Sequence, residues 1–229
     1  MRKNEIALAV ASDLHLGHRR NPASEIIKNL NLAFPDSAAT AELDLIVLAG
    51  DVWDDLLTLS NEEMEEIYLW IARLLRLCSK HGIILRVLEG TPSHDWKQSQ
   101  HFITVEKMLQ TGADFQYVQT LSIEYIEPLG INVLYLPDEW NTSAEKTLSE
   151  VRGLLKAKGL DKVDFAFMHG QFEYQLPDFV KAQKHSSEAY LDLVSSLIFI
   201  GHIHVHSVFE RIVAQGSFDR ISHGEEAPK

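Results

Sequence analysis

The sequence predicts a layered α/β domain with mixed strand directions, and three observations lead to this fold class. Short apolar runs rich in β-forming residues alternate with amphipathic stretches in the first part of the chain. Two strand-like runs around Pro-Leu-Gly indicate a hairpin in the middle, and further short apolar runs follow towards the end. Of the 229 residues, 45% are hydrophobic, which is enough for one sizeable core, so we expect residues 1–229 to form a single domain.

The first half of the chain is predicted to contain three strands and one long helix. The strands are Ile6–Ala11, Asp44–Ala49 and Ile83–Leu88, each a short and mostly aliphatic run. Residues 62–81 are predicted to be helical because their apolar residues recur at helical spacing, with acidic residues at the start and basic residues at the end. Gly82 then terminates the helix. We expect its apolar stripe to pack in the core.

The second half is predicted to begin with the hairpin. Leu121–Glu127 and Ile131–Leu136 flank the turn-forming residues 128–130. Ser143–Lys158 is predicted to be a second amphipathic helix, and Gly159 follows it. Three more strands are predicted after this helix: Val163–Met168, Leu197–Ile200 and Val208–Ala214.

The apolar runs and the cysteine content indicate the cellular compartment in which the protein is expected. No stretch approaches the roughly 20 consecutive apolar residues of a membrane helix. The N-terminal apolar run stops at Ser12-Asp13, which is typical of a first strand and not of a secretion signal. Cys78 is the only cysteine, which excludes an internal disulfide and favours a reducing, cytoplasmic setting.

The net charge of the chain is -12, from 21 Lys and Arg against 33 Asp and Glu. A protein that holds DNA mainly by neutralising phosphates is expected to be basic, so this balance argues against that mode of binding. The acidic charge is still compatible with a nucleic-acid enzyme in which divalent cations neutralise clustered carboxylates and contact phosphate. The polar ending GSFDRISHGEEAPK is compatible with a natural terminus and with truncation before a further C-terminal region.

Five predicted strands are each followed by an Asp or a His, often beside a glycine. The segments are SDLHLGH, GDVWDD, GTPSHDW, HG and GHIH. The carboxyl ends of strands in layered α/β folds converge on one crevice, where ligand sites are built. Seven of the eleven histidines lie in or beside these loops: His15, His18, His94, His169, His202, His204 and His206. We expect His18 and His206 at the surface or in contact with a substrate, and not as metal ligands.

Six of the loop residues have the chemistry of metal ligands: Asp13, His15, Asp51, His169, His202 and His204. Imidazole and carboxylate without thiolate suit borderline or hard divalent ions such as Mn, Fe or Zn. Six ligands are too many for one ion with an open position, and they suit two ions that share a bridging carboxylate. Two ions a few Å apart form a clamp for in-line displacement at phosphorus, since they polarise the phosphoryl oxygen and lower the pKa of a water molecule.

The ordered motifs D-x-H, GD-x-x-D, G-x-x-x-H-D, H-G and G-H-x-H extend from residue 13 to residue 204. Together they resemble the signature of the calcineurin-like metallophosphoesterases. The resemblance implies a two-sheet β-sandwich flanked by helices, with a site for two divalent metal ions. It implies the following ligands: Asp13, His15 and His204 for the first ion, His169 and His202 for the second, and Asp51 as a bridge between them.

The same resemblance implies a catalytic role for His94, as the histidine that contacts the phosphate and protonates the leaving group. Asp95 follows it, and we expect this carboxylate to hold the His94 tautomer in a carboxylate–imidazole pair. We expect Asp54 to orient a ligand, because metal-binding imidazoles usually have such a partner.

The third motif departs from the family pattern, which is usually Gly-Asn-His followed by Asp or Glu, with the Asn as a ligand of the second ion. Here Ser93 occupies the Asn position, with two extra residues between it and Gly90. A serine hydroxyl is a poorer ligand than an amide oxygen. The second ion is therefore expected to bind more weakly, through a water molecule or through Thr91 instead.

Within this superfamily the chain is most similar to the SbcD-type DNA repair nucleases and their bacteriophage relatives. The similarity lies in SDLHLGH, in GDVWDD, and in Gly216–Arg220 followed by Gly224-Glu225. It implies that the substrate is the phosphodiester backbone of DNA and that the preferred ion is Mn, with Fe, Zn and Mg as alternatives. It also implies an SMC-like ATPase as partner, and a homodimer formed through helices near the active-site face.

Two other functions stay open. The acidic net charge favours hydrolysis of a smaller phosphoester, such as a cyclic nucleotide, a phosphoprotein or a nucleotide-linked lipid precursor. The Ser93 replacement favours a non-catalytic scaffold with the same fold. The tryptophans near the motifs, Trp53, Trp96 and Trp140, are expected to wall the pocket or fill the core more than to stack on bases.

Overall fold

The computed structural model describes residues 5–57, 61–138, 143–177 and 179–221, and these residues form two β-sheets. The first sheet has four strands in the order β1-β2-β3-β4, all of them parallel. Its strands are β1 (Leu8–Ala11), β2 (Leu45–Ala49), β3 (Ile84–Leu88) and β4 (Phe115–Val118). Because the strands are parallel, their carboxyl ends lie along one edge of the sheet.

The second sheet has six strands in the order β5-β6-β7-β8-β10-β9. Its strands are β5 (Ser122–Ile126), β6 (Ile131–Leu136), β7 (Phe165–His169), β8 (Ile198–Gly201), β9 (Ser207–Phe209) and β10 (Ile212–Ala214). The pairs β6–β7, β7–β8 and β8–β10 are parallel, whereas β5–β6 and β9–β10 are antiparallel hairpins. The predicted mixture of strand directions is confirmed.

The chain reverses between β9 and β10, so the single strand predicted for Val208–Ala214 is wrong. Val208 pairs with Val213 across the hairpin. Between the two strands Glu210 takes a φ of 51°, in the left-handed region that a tight turn uses. The apolar residues on both sides of the turn make one continuous pattern in the sequence, which conceals the reversal.

The helices cover the outer faces of the sheets. They are α1 (Ala23–Ala33), α2 (Ala38–Ala41), α3 (Asn61–His81), α4 (Pro92–Asp95), α5 (Gln100–Leu109), α6 (Ala144–Ala157) and α7 (Ser187–Leu193), with a 3-10 helix at Glu173–Gln175. The two predicted helices are confirmed as α3 and α6. The hydroxyl of Ser143 caps α6 by accepting a hydrogen bond from the N–H of Lys146. None of the helices in the described ranges is long and apolar enough to cross a membrane.

The two sheets pack face to face, with a core layer on each side of both. On β2, Val47 and Ala49 point into the layer between the sheets, where Phe167 of β7 also lies. The alternate residues Ile46 and Leu48 point the other way, into the core under α1, α3 and α5. A third core lies between the second sheet and the helices α6 and α7. Since both faces of the central strands are buried, they form continuous apolar runs in the sequence. The predicted layered α/β fold, with two sheets flanked by helices, is confirmed.

The first prediction concerns the layer between the sheets. The buried ring of Phe167 stacks there on Tyr135 and Phe199, with ring centroids 6.0 and 5.5 Å away. We expect Phe167→Ala to lower the free energy of unfolding by about 3–5 kcal/mol, because it removes apolar contacts and leaves a cavity. Urea unfolding followed by circular dichroism measures the change. The control is Tyr125→Ala, which changes an exposed side chain of β5 and has an expected effect below about 0.5 kcal/mol. Equal losses in the two variants would contradict this packing.

Candidate metal centre

The loops that follow β1, β2, β7 and β8 meet at one place, where the carboxyl ends of strands from both sheets come together. Within the first sheet, the N–H of Asp13 donates to the carbonyl oxygen of Gly50 (3.0 Å) and the N–H of His15 to that of Asp51 (3.1 Å). All six residues predicted as metal ligands lie in two clusters here. The clusters are Asp13, His15 and His204, and Asp51, His169 and His202.

The first cluster holds three donor atoms within 4.8 Å of one another. Nε2 of His15 lies 3.1 Å from Nε2 of His204, which in turn lies 3.7 Å from Oδ1 of Asp13. Asp13 and His15 are buried and His204 is partly exposed, so the cluster opens to solvent on one side. The carboxylate of Asp13 also accepts hydrogen bonds from the N–H of His202 at 3.0 and 3.1 Å, which joins the first cluster to the second.

The second cluster is built around His169, whose ring is fully buried. Its Nδ1 lies 2.8 Å from the carbonyl oxygen of Ala49, which can only accept, so Nδ1 carries the proton. Nε2 is the ring nitrogen that faces the cluster, and it lies 3.2 Å from Oδ1 of Asp51. A carbonyl partner that fixes the tautomer in this way is the usual support of a metal-binding histidine. The two clusters of buried Asp and His therefore have the donor chemistry to hold a metal ion.

The backbone is strained at several of these residues. Among the described non-glycine residues with positive φ are Asp13 (53°), His15 (50°), Asp51 (48°) and His202 (98°). Such conformations cost free energy, of the order of 1–3 kcal/mol each, and they cluster at functional sites. Four of the six predicted ligands are thus held in conformations that the surrounding contacts must enforce.

Glycine is required where two loops come closest. A Cβ on Gly90 would lie 2.1 Å from the N atom of Asp51, and a Cβ on Gly50 would lie 2.3 Å from Nδ1 of His169. Both separations are far below van der Waals contact, so only glycine allows the loops after β2 and β3 to pack against the ligands.

Burial and charge act in opposite directions on the second cluster. Burial alone would lower the pKa of His169, but the neighbouring Asp51 carboxylate outweighs burial and raises that pKa well above its usual value. Burial alone would raise the pKa of Asp51, but His169 and His15 outweigh it and lower that pKa below its usual range. Asp51 is therefore a carboxylate at neutral pH. Burial lowers the pKa of His202, and the neighbouring His169 lowers it further.

His94 and Asp54 lie beside the first cluster. Oδ1 of Asp54 is 3.1 Å from Nδ1 of His15, within ion-pair distance although not aligned as a hydrogen bond. The carbonyl oxygen of Asp54 is within hydrogen-bond distance of Nδ1 of His94. The His94 ring meets the His15 ring edge to face, with centroids 5.0 Å apart. Asp54 thus contacts a predicted ligand through its side chain and the predicted acid through its backbone.

Asp95 does not pair with His94, so that expectation is wrong. Its Oδ1 accepts from the N–H of Trp53 (2.9 Å) and its Oδ2 from the N–H of Gly90 (2.6 Å). His94 and Asp95 are successive residues of the short helix α4, where neighbours in sequence point in different directions. The Asp95 side chain is fully buried, and burial together with the charge of Asp51 raises its pKa well above the usual value. Its contacts make it a brace between the loops after β2 and β3.

Ser93 is exposed, and the residue of the third motif that contacts the second cluster is Thr91. Thr91 comes directly after Gly90, and its N–H donates to Oδ1 of Asp51 at 2.6 Å. Pro92 and Ser93 form the start of α4. The expected role of Ser93 as a ligand therefore gains no support from its position, and the two extra residues of the motif can be counted after Thr91.

Neither His18 nor His206 belongs to the two clusters. His18 is partly buried, and its Nδ1 accepts a hydrogen bond from the N–H of Arg20, whereas His206 is exposed. Trp53 is fully buried, so the expectation that it fills the core is confirmed. Trp96 is half exposed, and Trp140 lies outside the described residues.

Sequence reasoning missed Asp138 and His185. Asp138 follows β6, as the other site residues follow their strands, and its Oδ2 lies 3.9 Å from Nδ1 of His202. The rule that located the other site residues, an Asp or His directly after a strand, would have located it too. Asp138, His185 and His202 line one cavity of about 260 Å³ beside the second cluster. Burial lowers the pKa of His185 to about 4, so this ring is neutral at physiological pH.

Comparison with known proteins bears on the fold alone. No protein-family model matches the chain, and no curated protein sequence matches it significantly. The solved structure of TT1561 of Thermus thermophilus is similar, with a TM-score of 0.53 and 12% identity over 92% of this chain and 89% of that one. A second solved structure matches with the same TM-score and identity, over 92% of this chain and 90% of the other. At this level of identity the likeness supports a shared layered α/β fold.

The second prediction is that Mn²⁺ raises the unfolding temperature of the metal-stripped protein. An ion that binds only the folded state at 100 times its Kd adds about 2.7 kcal/mol of stability. We expect Asp51→Asn to lose most of this gain, because it removes a charged ligand from the buried centre of the site. The measurement is calorimetry of each variant with and without Mn²⁺.

Asp192→Asn on α7 is the matched control, since this aspartate is exposed and belongs to neither cluster. It is expected to respond to Mn²⁺ as the wild type does. A full response in Asp51→Asn would show that the ion binds elsewhere.

Proposed function

We propose that the protein is a metal-dependent phosphodiesterase and that its substrate is the phosphodiester backbone of DNA. The observation that carries the proposal is the pair of adjoining Asp and His clusters, with His94 beside the first. Carboxylate and imidazole donors without thiolate favour Mn, with Fe, Zn and Mg as alternatives. The five motifs that resemble the calcineurin-like metallophosphoesterases supply the residues of both clusters.

In this proposal each cluster holds one ion. The first would be held by Asp13, His15 and His204 and the second by His169 and His202, with Asp51 as the carboxylate that the two sites would share. Bound ions at such a site polarise a phosphoryl oxygen and lower the pKa of a water molecule. The carbonyl oxygen of Ala49 holds the proton of His169 on Nδ1, which leaves Nε2 of that ring as the atom that would bind the ion.

His94 serves as the general acid. When its ring is protonated, Nδ1–H donates to the carbonyl oxygen of Asp54 and the second proton sits on Nε2. From Nε2 that proton passes to the oxygen of the leaving group. The hydrogen bond to Asp54 orients the ring, while the edge-to-face contact with His15 keeps it next to the first cluster.

DNA is favoured as the substrate by the similarity to the SbcD-type nucleases. The Gly-Ser-Phe segment, which is part of that similarity, contacts the site in the structure. The N–H of Ser217 donates to the carbonyl oxygen of His204 (3.1 Å), and the N–H of Phe218 donates to that of Asp13 (3.2 Å). This segment therefore braces two ligand-bearing loops. An SMC-like ATPase partner and a homodimer belong to the same proposal.

A smaller phosphoester is the second candidate substrate, and the net charge of -12 favours it. An acidic protein repels a long polyanion more strongly than it repels a small ester. The scaffold alternative depended on a missing ligand at Ser93. It loses that support because Thr91, with its hydroxyl, stands at this position of the second cluster.

The third prediction tests the general acid. We expect His94→Ala to lower turnover by about 100- to 10,000-fold, which is the usual contribution of general acid–base catalysis. Bound Mn, measured by elemental analysis, should stay at the wild-type level because His94 is not assigned as a ligand. His81→Ala at the end of α3 is the control, since this histidine pairs with Asp36 away from the site. Undiminished turnover in His94→Ala would remove the assignment.

The substrate class is tested by incubating the Mn-loaded protein with single-stranded DNA, double-stranded DNA and bis-(p-nitrophenyl) phosphate. Cleavage of DNA, abolished in the Asp51→Asn variant, is the expected result. Cleavage of the small ester alone would keep the phosphodiesterase proposal and reject DNA as its substrate.

A further inference from the structure

We infer that Asp138 is a ligand of the second ion, and that with Thr91 it replaces the asparagine that the third motif lacks. The inference rests on the proposed metal centre and adds to it a ligand that the motifs do not contain. It starts from Thr91, which follows Gly90 at the position where the family pattern has Asn.

The hydroxyl oxygen of Thr91 is surrounded by the donor atoms of the second cluster. It lies 3.3 Å from Oδ2 of Asp51, 3.4 Å from Nε2 of His169 and 3.2 Å from Nδ1 of His202. Its fourth neighbour is Oδ2 of Asp138, at 3.2 Å. The carboxylate of Asp138 therefore reaches the same small space as the ligands from β2, β7 and β8.

These separations are those of atoms that share one ion. Ligand atoms about 2.0–2.2 Å from a divalent ion lie about 3 Å from their nearest neighbours in octahedral coordination. The distances from the Thr91 hydroxyl to its four neighbours are slightly longer than this. A small inward movement of the side chains would bring the five donors around a single cation.

Charge explains why a carboxylate is needed here. The hydroxyl of Thr91 is neutral and offers a divalent ion less than the amide oxygen it replaces. A second carboxylate, added to that of Asp51, brings the negative charge at the site to two. This balances the two positive charges of the ion. The resulting set has three oxygen and two nitrogen donors, which suits Mn and leaves one position of an octahedron open.

Strand register brings Asp138 to this place. Leu136, the last residue of β6, pairs with Met168 of the parallel strand β7. Two residues further on, Oδ1 of Asp138 lies 3.4 Å from the position that a Cβ on Gly170 would occupy. The side chain of Asp138 is only 14% exposed, so the carboxylate is directed into the protein.

The fourth prediction is that Asp138→Ala weakens binding of the second Mn²⁺ at least about tenfold and leaves the first unchanged, because the first cluster does not contain Asp138. Isothermal titration with Mn²⁺, with free Mn²⁺ followed by electron paramagnetic resonance, measures the number of ions and their affinities. Adding Thr91→Asn to Asp138→Ala is expected to restore the second site, since it returns the amide ligand. Asp161→Ala, at an exposed loop position, is the control.

The outcomes separate this inference from the proposed function. If the wild type binds no Mn²⁺, both fail. If the wild type binds two ions, and Asp138→Ala and Asp138→Asn bind two with unchanged affinity, Asp138 is not a ligand while the phosphodiesterase proposal stands. If the Ala variant loses both ions, the isosteric Asp138→Asn variant shows whether the loss comes from the missing carboxylate or from disruption of the whole site. Weaker second-site binding with the first site retained supports the inference, and equal weakening of both sites overturns it.

Discussion

The hydrogen bond between Nδ1 of His169 and the carbonyl oxygen of Ala49 links the two halves of the structure at the site. His169 ends β7 of the second sheet, and Ala49 ends β2 of the first. The bond is buried, so losing one partner would leave a polar group without water or protein to satisfy it. It fixes which ring nitrogen carries a proton, and it holds the carboxyl edges of both sheets together. The other ligand loops are arranged around this contact.

The strain in those loops follows from the same constraint. Chains that leave strands of two different sheets can bring their side chains to one point only by turning sharply, which explains the left-handed conformations of Asp13, Asp51 and His202. No single loop maintains such a conformation alone. The loop after β1 is hydrogen-bonded to the loop after β2, and the N–H of His202 donates to the carboxylate of Asp13. The site is therefore cooperative, and each loop supports the conformation of the next.

The features that the sequence predicts correctly are those that depend on residues close together along the chain. Apolar runs and helical periodicity depend on nearby residues, so they located the central strands, α3 and the Asp and His residues that follow the strands. The errors occurred where geometry depends on a few backbone angles. The surroundings of Ser93 and Asp95 were not predicted because spacing does not reveal that two inserted residues form a helical turn. Asp138 was missed because Pro-Asp after a strand is also typical of an ordinary turn.

Two of the buried aspartates at the site, Asp51 and Asp95, show how the site could attract cations. Burial penalises the charge of both, yet the pKa of Asp51 falls because His169 is beside it, while burial and the charge of Asp51 raise the pKa of Asp95 despite its backbone N–H partners. Negative charge is thus favoured on the side that faces the clusters and disfavoured behind it. In a chain with a net charge of -12, an overall positive charge does not attract the phosphodiester of the proposed function. In that proposal the ions held at the two clusters supply the attraction, so metal loading would support substrate binding as well as chemistry.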